Sequence, residues 1–223
     1  MLKGLFRNIS SYRGGKGGDF KTHARKAIYD GDTNVPKEKH VAHVMSAMQG
    51  SVADITPEDA IKYLGKHLRR SGTSWKKRMK VMYVFHYAMN RVPRALQQYL
   101  GADLVYDSIT PFETIPALYS QEYYLNIMIQ AQYRFLRFKS KLYLPEKGRL
   151  VDQQALEEIE TETLLQQVRD LCTAFFEAMR GAETLSKFRE LKLKNKAAFE
   201  VIGLFLKEAD FFFENIANAF KQV

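Results

Sequence analysis

A chain of 223 residues with 46% hydrophobic side chains is long enough for one large domain or two small ones and apolar enough to bury a core. Its single cysteine, Cys172, excludes an internal disulfide framework and a thiolate metal cluster, and no run reaches the roughly 18 apolar residues of a membrane-spanning helix. The net charge of +9 is concentrated in residues 1–100, which carry 19 Lys/Arg against 7 Asp/Glu, whereas residues 101–223 carry 15 against 18. One end of the protein is therefore expected to face a polyanion, either nucleic acid or anionic lipid.

Residues 2–12 place Leu2, Leu5, Phe6 and Ile9 at helical spacing with Lys3 and Arg7 off that stripe. This is the pattern of an amphipathic helix inserting into a membrane interface, and a disordered leader could carry it equally well. The glycines between Arg13 and Gly18 give too much backbone freedom to continue a helix. The expected organisation is a leader over 1–18 and a helical domain over 19–223.

Within that domain, apolar periodicity near 3.6 predicts helices over 20–29, over 36–49 with Val41, Val44, Met45 and Met48 on one face, and over 57–70 with Ile61, Leu64 and Leu68. Thr56 as N-cap, Pro57 at the first helical position and Glu58 and Asp59 in the first turn mark the start of the third. Helices over 74–90 and 93–100 follow, then an irregular stretch from Gly101 to Pro116. A long helix carries Tyr119, Tyr123, Ile127, Leu136 and Tyr143 as its stripe and ends at the turn residues 145–148. Helices over 152–179 and 195–221 close the chain, the last with Phe199, Ile202, Phe205, Phe212, Ile216 and Phe220 facing the core. With only 6 Pro and 13 Gly, this reads as an all-α protein, a right-handed superhelical solenoid of about nine antiparallel-stacked helices.

The basic residues gather at one junction. Lys26 ends one predicted helix, and Lys37, Lys39 and His40 occupy the first turn of the next. Cations oppose the dipole at a helix N-terminus, whereas a bound phosphate would gain the amide donors and the cationic side chains together. A solvated basic loop would carry the same residues.

The Lys26-Ala27 pair followed by Pro36-Lys37-Glu38-Lys39-His40 resembles the phosphoinositide site of the ANTH domain, in the ENTH/ANTH superfamily, of the assembly-protein class of endocytic clathrin adaptors. The resemblance continues at Ser74-Trp75, Met79-Lys80, Met82 and His86, and at Arg134-Phe135-Leu136, Lys139 and Tyr143, and spans roughly Phe20 to Val223. Glu38 departs from it, standing where the family often has another lysine, and the stretch between Lys26 and Pro36 is about one residue longer.

The resemblance implies a non-enzymatic adaptor domain with Lys26, Lys37, Lys39 and His40 as headgroup ligands and phosphatidylinositol 4,5-bisphosphate as the lipid. It implies a cytoplasmic protein peripheral at the plasma membrane, clathrin-coated pits and vesicles. Clathrin and other coat proteins would bind through a tail outside this sequence, and SNARE-type proteins would be cargo. A basic helical module for nucleic acid or phosphopeptides is the alternative reading.

Other features read as structural. Lys66, His67, Arg69, Arg70, Lys76, Lys77, Arg78 and Lys80 could enlarge a positive face, but surface helices of a basic protein carry many such groups. His86 lies in an apolar helix and reads as a core histidine, and Trp75 as a core residue. His40 and His43 share a helix face without an acidic or cysteine neighbour in sequence, so neither a metal nor a cofactor is expected. No nucleophile motif or phosphate loop is present.

Overall fold

The computed structural model describes residues 18–70, 72–92, 96, 120–141, 143–144, 149–150, 195–219 and 221, with isolated helical positions at 166, 169, 172, 173, 176 and 183. The fold is all-α. Six helices are described: α1 (Gly18–Ala27), α2 (Glu38–Met48), α3 (Pro57–Arg69), α4 (Trp75–Met89), α5 (Gln121–Lys141) and α6 (Lys196–Ala219). Leu2, Leu5, Phe6 and Ile9, the junction at 13–17 and the irregular stretch 101–116 lie outside the described residues, as do most of the expected helices over 93–100 and 152–179.

Local signals in the sequence set the helix ends. The Thr56 side chain accepts a hydrogen bond from Asp59 N at 3.1 Å, Ser74 from Lys77 N at 3.3 Å, and Asn195 Oδ1 from Ala198 N at 3.0 Å, so α3, α4 and α6 each begin with a side-chain cap. Gly50, one residue past the C-cap of α2, adopts φ 76°, a left-handed conformation that favours glycine. The α5 boundary differs from expectation. The helix stops at Lys141, and Tyr143–Leu144 (β1) pairs antiparallel with Arg149–Leu150 (β2), Tyr143 opposite Leu150. Tyr143 thus belongs to a short ladder rather than to the helix.

Helices α1 to α4 pack each on the next in chain order, and α4 also packs against both α5 and α6. One core runs through all six, from Phe20 and Ile28 through Val44, Leu64, Met82 and Phe85 to Phe135, Phe205 and Phe212. No described helix is long and apolar enough to cross a membrane. Trp75 is partly buried against this core, and His86 is fully enclosed within it. Cys172 is half-buried, and its burial raises the thiol pKa, consistent with an unreactive side chain.

Two expected faces hold only in part: Leu136 of α5 and Phe205 and Phe212 of α6 are buried as expected, and other positions are not. In α5, Tyr123 and Ile127 are half-buried, while Tyr124, Met128, Gln132, Phe135 and Lys139 point inward. In α6, Phe199 is 43% exposed, and the inward face runs through Val201, Phe205, Glu208, Phe212 and Asn215. Both helices bury polar residues on the core side, which breaks the correspondence between apolar stripe and buried face. Tyr119 and Phe220, the outermost positions of those stripes, lie outside the described residues.

Three polar groups, Lys139, Asn90 and Glu208, hydrogen-bond to one another. Lys139, 1% exposed, donates from Nζ to the Glu208 carboxylate and to Asn90 Oδ1, and Asn90 Nδ2 donates to Glu208 Oε1 at 2.8 Å. His86 Nε2 lies 3.5 Å from Glu208 Oε1, and its Nδ1 lies 3.4 Å from Gln132 Nε2. This cluster ties α4, α5 and α6 together among the rings of Phe135, Phe205 and Phe212.

Candidate functional site

The junction between α1 and α2 is held from below by α4. Lys80, 3% exposed, donates from Nζ to Tyr29 O at 2.5 Å and to Asp32 Oδ1 at 2.7 Å. Ser74 Oγ donates to Asp30, which also pairs with Lys77 at 3.4 Å. Asp32 Oδ1 accepts a further bond from Asn34 N at 3.0 Å, closing a local turn of the kind Asp favours. At the far side, Thr33 O accepts from Ala197 N at 3.0 Å, so the first turn of α6 also braces the loop.

These contacts change the reading of the second basic group. Lys80 is an internal strut and Lys77 an ion-pair partner of the loop. Arg78 is 4% exposed, with Nη2 donating to Arg70 O at 3.1 Å and its guanidinium 5.7 Å from the Trp75 ring centroid. Lys80 and Arg78 therefore do not extend a positive surface; Lys80 positions the loop that carries the first group, and Arg78 ties down the C-terminal end of α3.

On that frame, Lys26, Lys37 and Lys39 are exposed, and His40 is 7% exposed. Lys37 is the N-cap residue of α2, and its side chain makes no capping bond; the cap is backbone only, with Lys37 O accepting from His40 N at 2.9 Å and Val41 N at 3.3 Å. The first-turn amides of α2 thus lie among cations with no capping side chain from Lys37. Burial lowers the His40 pKa, and neighbouring His23 and the charges of Lys39, Lys26 and Lys37 lower it further. The four residues singled out in the sequence are therefore gathered at one place. The exception is the state of His40, which lies below the ordinary imidazole value of about 6.5 and does not supply a full charge at neutral pH.

Beside His40 lies a group that the sequence reading missed. His23 Nδ1 is 3.2 Å from His40 Nδ1, and the His23 and His43 rings stack with centroids 4.2 Å apart. Asp19 reaches His23 Nε2 and His43 Nε2 at 3.6 Å each. The acidic partner absent from the neighbourhood of His43 in sequence arrives from α1 in space. The i, i+4 spacing of Asp19 and His23 put both on one face of α1, but nothing in the sequence said that this face meets α2 at His43. Burial, then the neighbouring His43, lowers the His23 pKa, against a raising effect of Asp19.

Comparison with protein-family models and with curated proteins finds no match to this chain.

Proposed function

We propose that this chain is a non-enzymatic, phosphoinositide-binding adaptor domain of the ANTH type, a superhelical array of about nine helices that brings its protein to the cytoplasmic face of the plasma membrane or of coated vesicles. The observation that carries the reading is the convergence of Lys26, Lys37, Lys39 and His40 at the N-terminus of α2, on a loop fixed by Lys80. Phosphatidylinositol 4,5-bisphosphate is the lipid proposed. Clathrin, other coat proteins and SNARE-type cargo are the partners that the same reading implies.

The magnitudes favour a cooperative mode. Each Lys at an anionic surface contributes about 1 kcal/mol, so the three lysines supply about 3 kcal/mol, weaker than millimolar binding. Charge-assisted bonds from the lysines and from the α2 amides to individual phosphates provide the selectivity that diffuse attraction lacks. A neutral His40 contributes as a hydrogen-bond donor. Insertion of Leu2, Leu5, Phe6 and Ile9 would add a second, apolar signal of about 1.5 kcal/mol or more per side chain before the cost of ordering.

The test is co-sedimentation with liposomes containing phosphatidylinositol 4,5-bisphosphate. Lys37→Glu with Lys39→Glu should abolish sedimentation while leaving helical circular dichroism unchanged, since both side chains are exposed. Undiminished sedimentation would overturn the reading, and tight RNA binding without liposome binding would replace it by the nucleic-acid alternative.

A further inference from the structure

We propose that Asp19, His23 and His43 form a binding site for a first-row divalent transition metal, with Zn²⁺ as the reference ion. The three residues offer one carboxylate oxygen and two imidazole nitrogens, all within 4.8 Å of one another. Asp19 Oδ1 lies 3.6 Å from His23 Nε2, and Asp19 Oδ2 lies 3.6 Å from His43 Nε2. Tetrahedral Zn²⁺ with bonds of about 2.0–2.1 Å holds its ligand atoms about 3.3 Å apart, so coordination requires the stacked His23 and His43 rings to open toward a common point and one Asp19 oxygen to turn onto the ion.

An independent observation is His43 itself. It is 6% exposed, and its Nε2, the atom that faces Asp19, has no hydrogen-bond partner. Buried nitrogens in that condition are uncommon, and coordination would satisfy this one. The donor set of two imidazoles and a carboxylate suits Zn²⁺, Co²⁺ or Ni²⁺ and suits Ca²⁺ and Mg²⁺ poorly, because those prefer all-oxygen shells. Three protein ligands leave a fourth position for water.

The surroundings both oppose and support the ion. Lys26 and Lys39 are near enough to His23 to act on it electrostatically and disfavour a cation, and the Asp19 carboxylate offsets them. His40 supplies the outer contact. A metal on His23 Nε2 leaves the ring proton on Nδ1, which lies 3.2 Å from His40 Nδ1 and would donate to it. His40 would then carry its own proton on Nε2, so the metal would fix the tautomer of a residue in the candidate phosphate site. The metal assignment stands on its own geometry, whatever anion the neighbouring lysines take.

The experiment uses the full chain without an affinity tag. Zn²⁺ is titrated calorimetrically, and Co²⁺ is followed by its visible absorption bands. The intact chain should bind one equivalent saturably, and Asp19→Asn and His23→Gln, at partly exposed positions, should each lose at least tenfold in affinity with unchanged circular dichroism. His43→Ala should lose as much, and because His43 is buried, the other two variants keep the test decisive if it folds poorly. Failure of the intact chain to bind Zn²⁺ or Co²⁺ saturably, or undiminished affinity in Asp19→Asn and His23→Gln, would overturn the assignment. Neither readout involves lipid, so failure here leaves the membrane reading untouched.

Discussion

Replacing Glu208 by Gln should destabilise the protein by about 3–5 kcal/mol, the cost of breaking a buried ion pair by removing one partner. Glu208 is 5% exposed and accepts bonds from Lys139 and Asn90, and the isosteric amide would leave the Lys139 ammonium uncompensated at 1% exposure. Burial alone would raise the Glu208 pKa, but the His86 contact and the Lys139 charge outweigh it and lower it from 4.5 to about 2. That depression corresponds to about 3 kcal/mol at neutral pH, in the same range as the truncation cost. The sign follows from the direction: the contribution is complete above about pH 4.5 and is lost as pH falls toward about 2. Lys139 works in the opposite sense, since burial lowers its pKa against the pull of Glu208, so the pair is worth less than the Glu208 figure alone. Lys139→Met in the Glu208→Gln background should restore all but about 1–2 kcal/mol, because an apolar side chain fits among Phe135 and Phe212 without a stranded charge. Urea denaturation of the two single variants and the double variant, repeated between pH 7 and pH 3, measures both quantities. Additive single losses, or an acid-sensitivity unchanged by Glu208→Gln, would refute the reasoning.

Two further outcomes follow from other buried groups. Burial, then the nearby Lys66, Lys77, Arg70 and Arg25 charges, lower the His67 pKa to about 4, so a histidine NMR titration should find the His67 imidazole still neutral at pH 5. A His67 resonance titrating near 6.5 would contradict this. Lys80→Met should remove the ammonium donor from Tyr29 O and Asp32, costing about 1–3 kcal/mol, which at about 2–4 °C per kcal/mol is readable as a lower Tm by circular dichroism. The same variant should weaken liposome binding although Lys80 is not at the surface; unchanged values of both would remove it as the strut of the loop.

Much of this was legible in the sequence where the signal was local. Thr56 with Pro57, Ser74 before Trp75, and the apolar spacing of Ile61, Leu64 and Leu68 place α3 and the start of α4, because caps and periodicity act within one turn. The gathering of Lys26, Lys37, Lys39 and His40 was legible for the same reason: a short loop joins two helices whose ends carry them. The inward faces of α5 and α6 were legible only in part, at Leu136, Phe205 and Phe212; the burial of Lys139 and Glu208 was not, because a charged side chain is enclosed only where a partner from another helix neutralises it. Nor was the Asp19–His43 contact, which depends on how α1 lies on α2. The strut role of Lys80 was out of reach for a similar reason: its carbonyl and carboxylate partners at Tyr29 and Asp32 are 51 and 48 residues away.

The most direct test of the central claim is an amide-resolved NMR titration of the chain with inositol 1,4,5-trisphosphate, the soluble headgroup of the proposed lipid. The account predicts saturable shifts concentrated at Lys26 and at Lys37 to Val41, lost in the Lys37→Glu/Lys39→Glu variant, because the phosphates would bond the first-turn amides of α2. Shifts absent from α2, or equal in the intact chain and the variant, would contradict it.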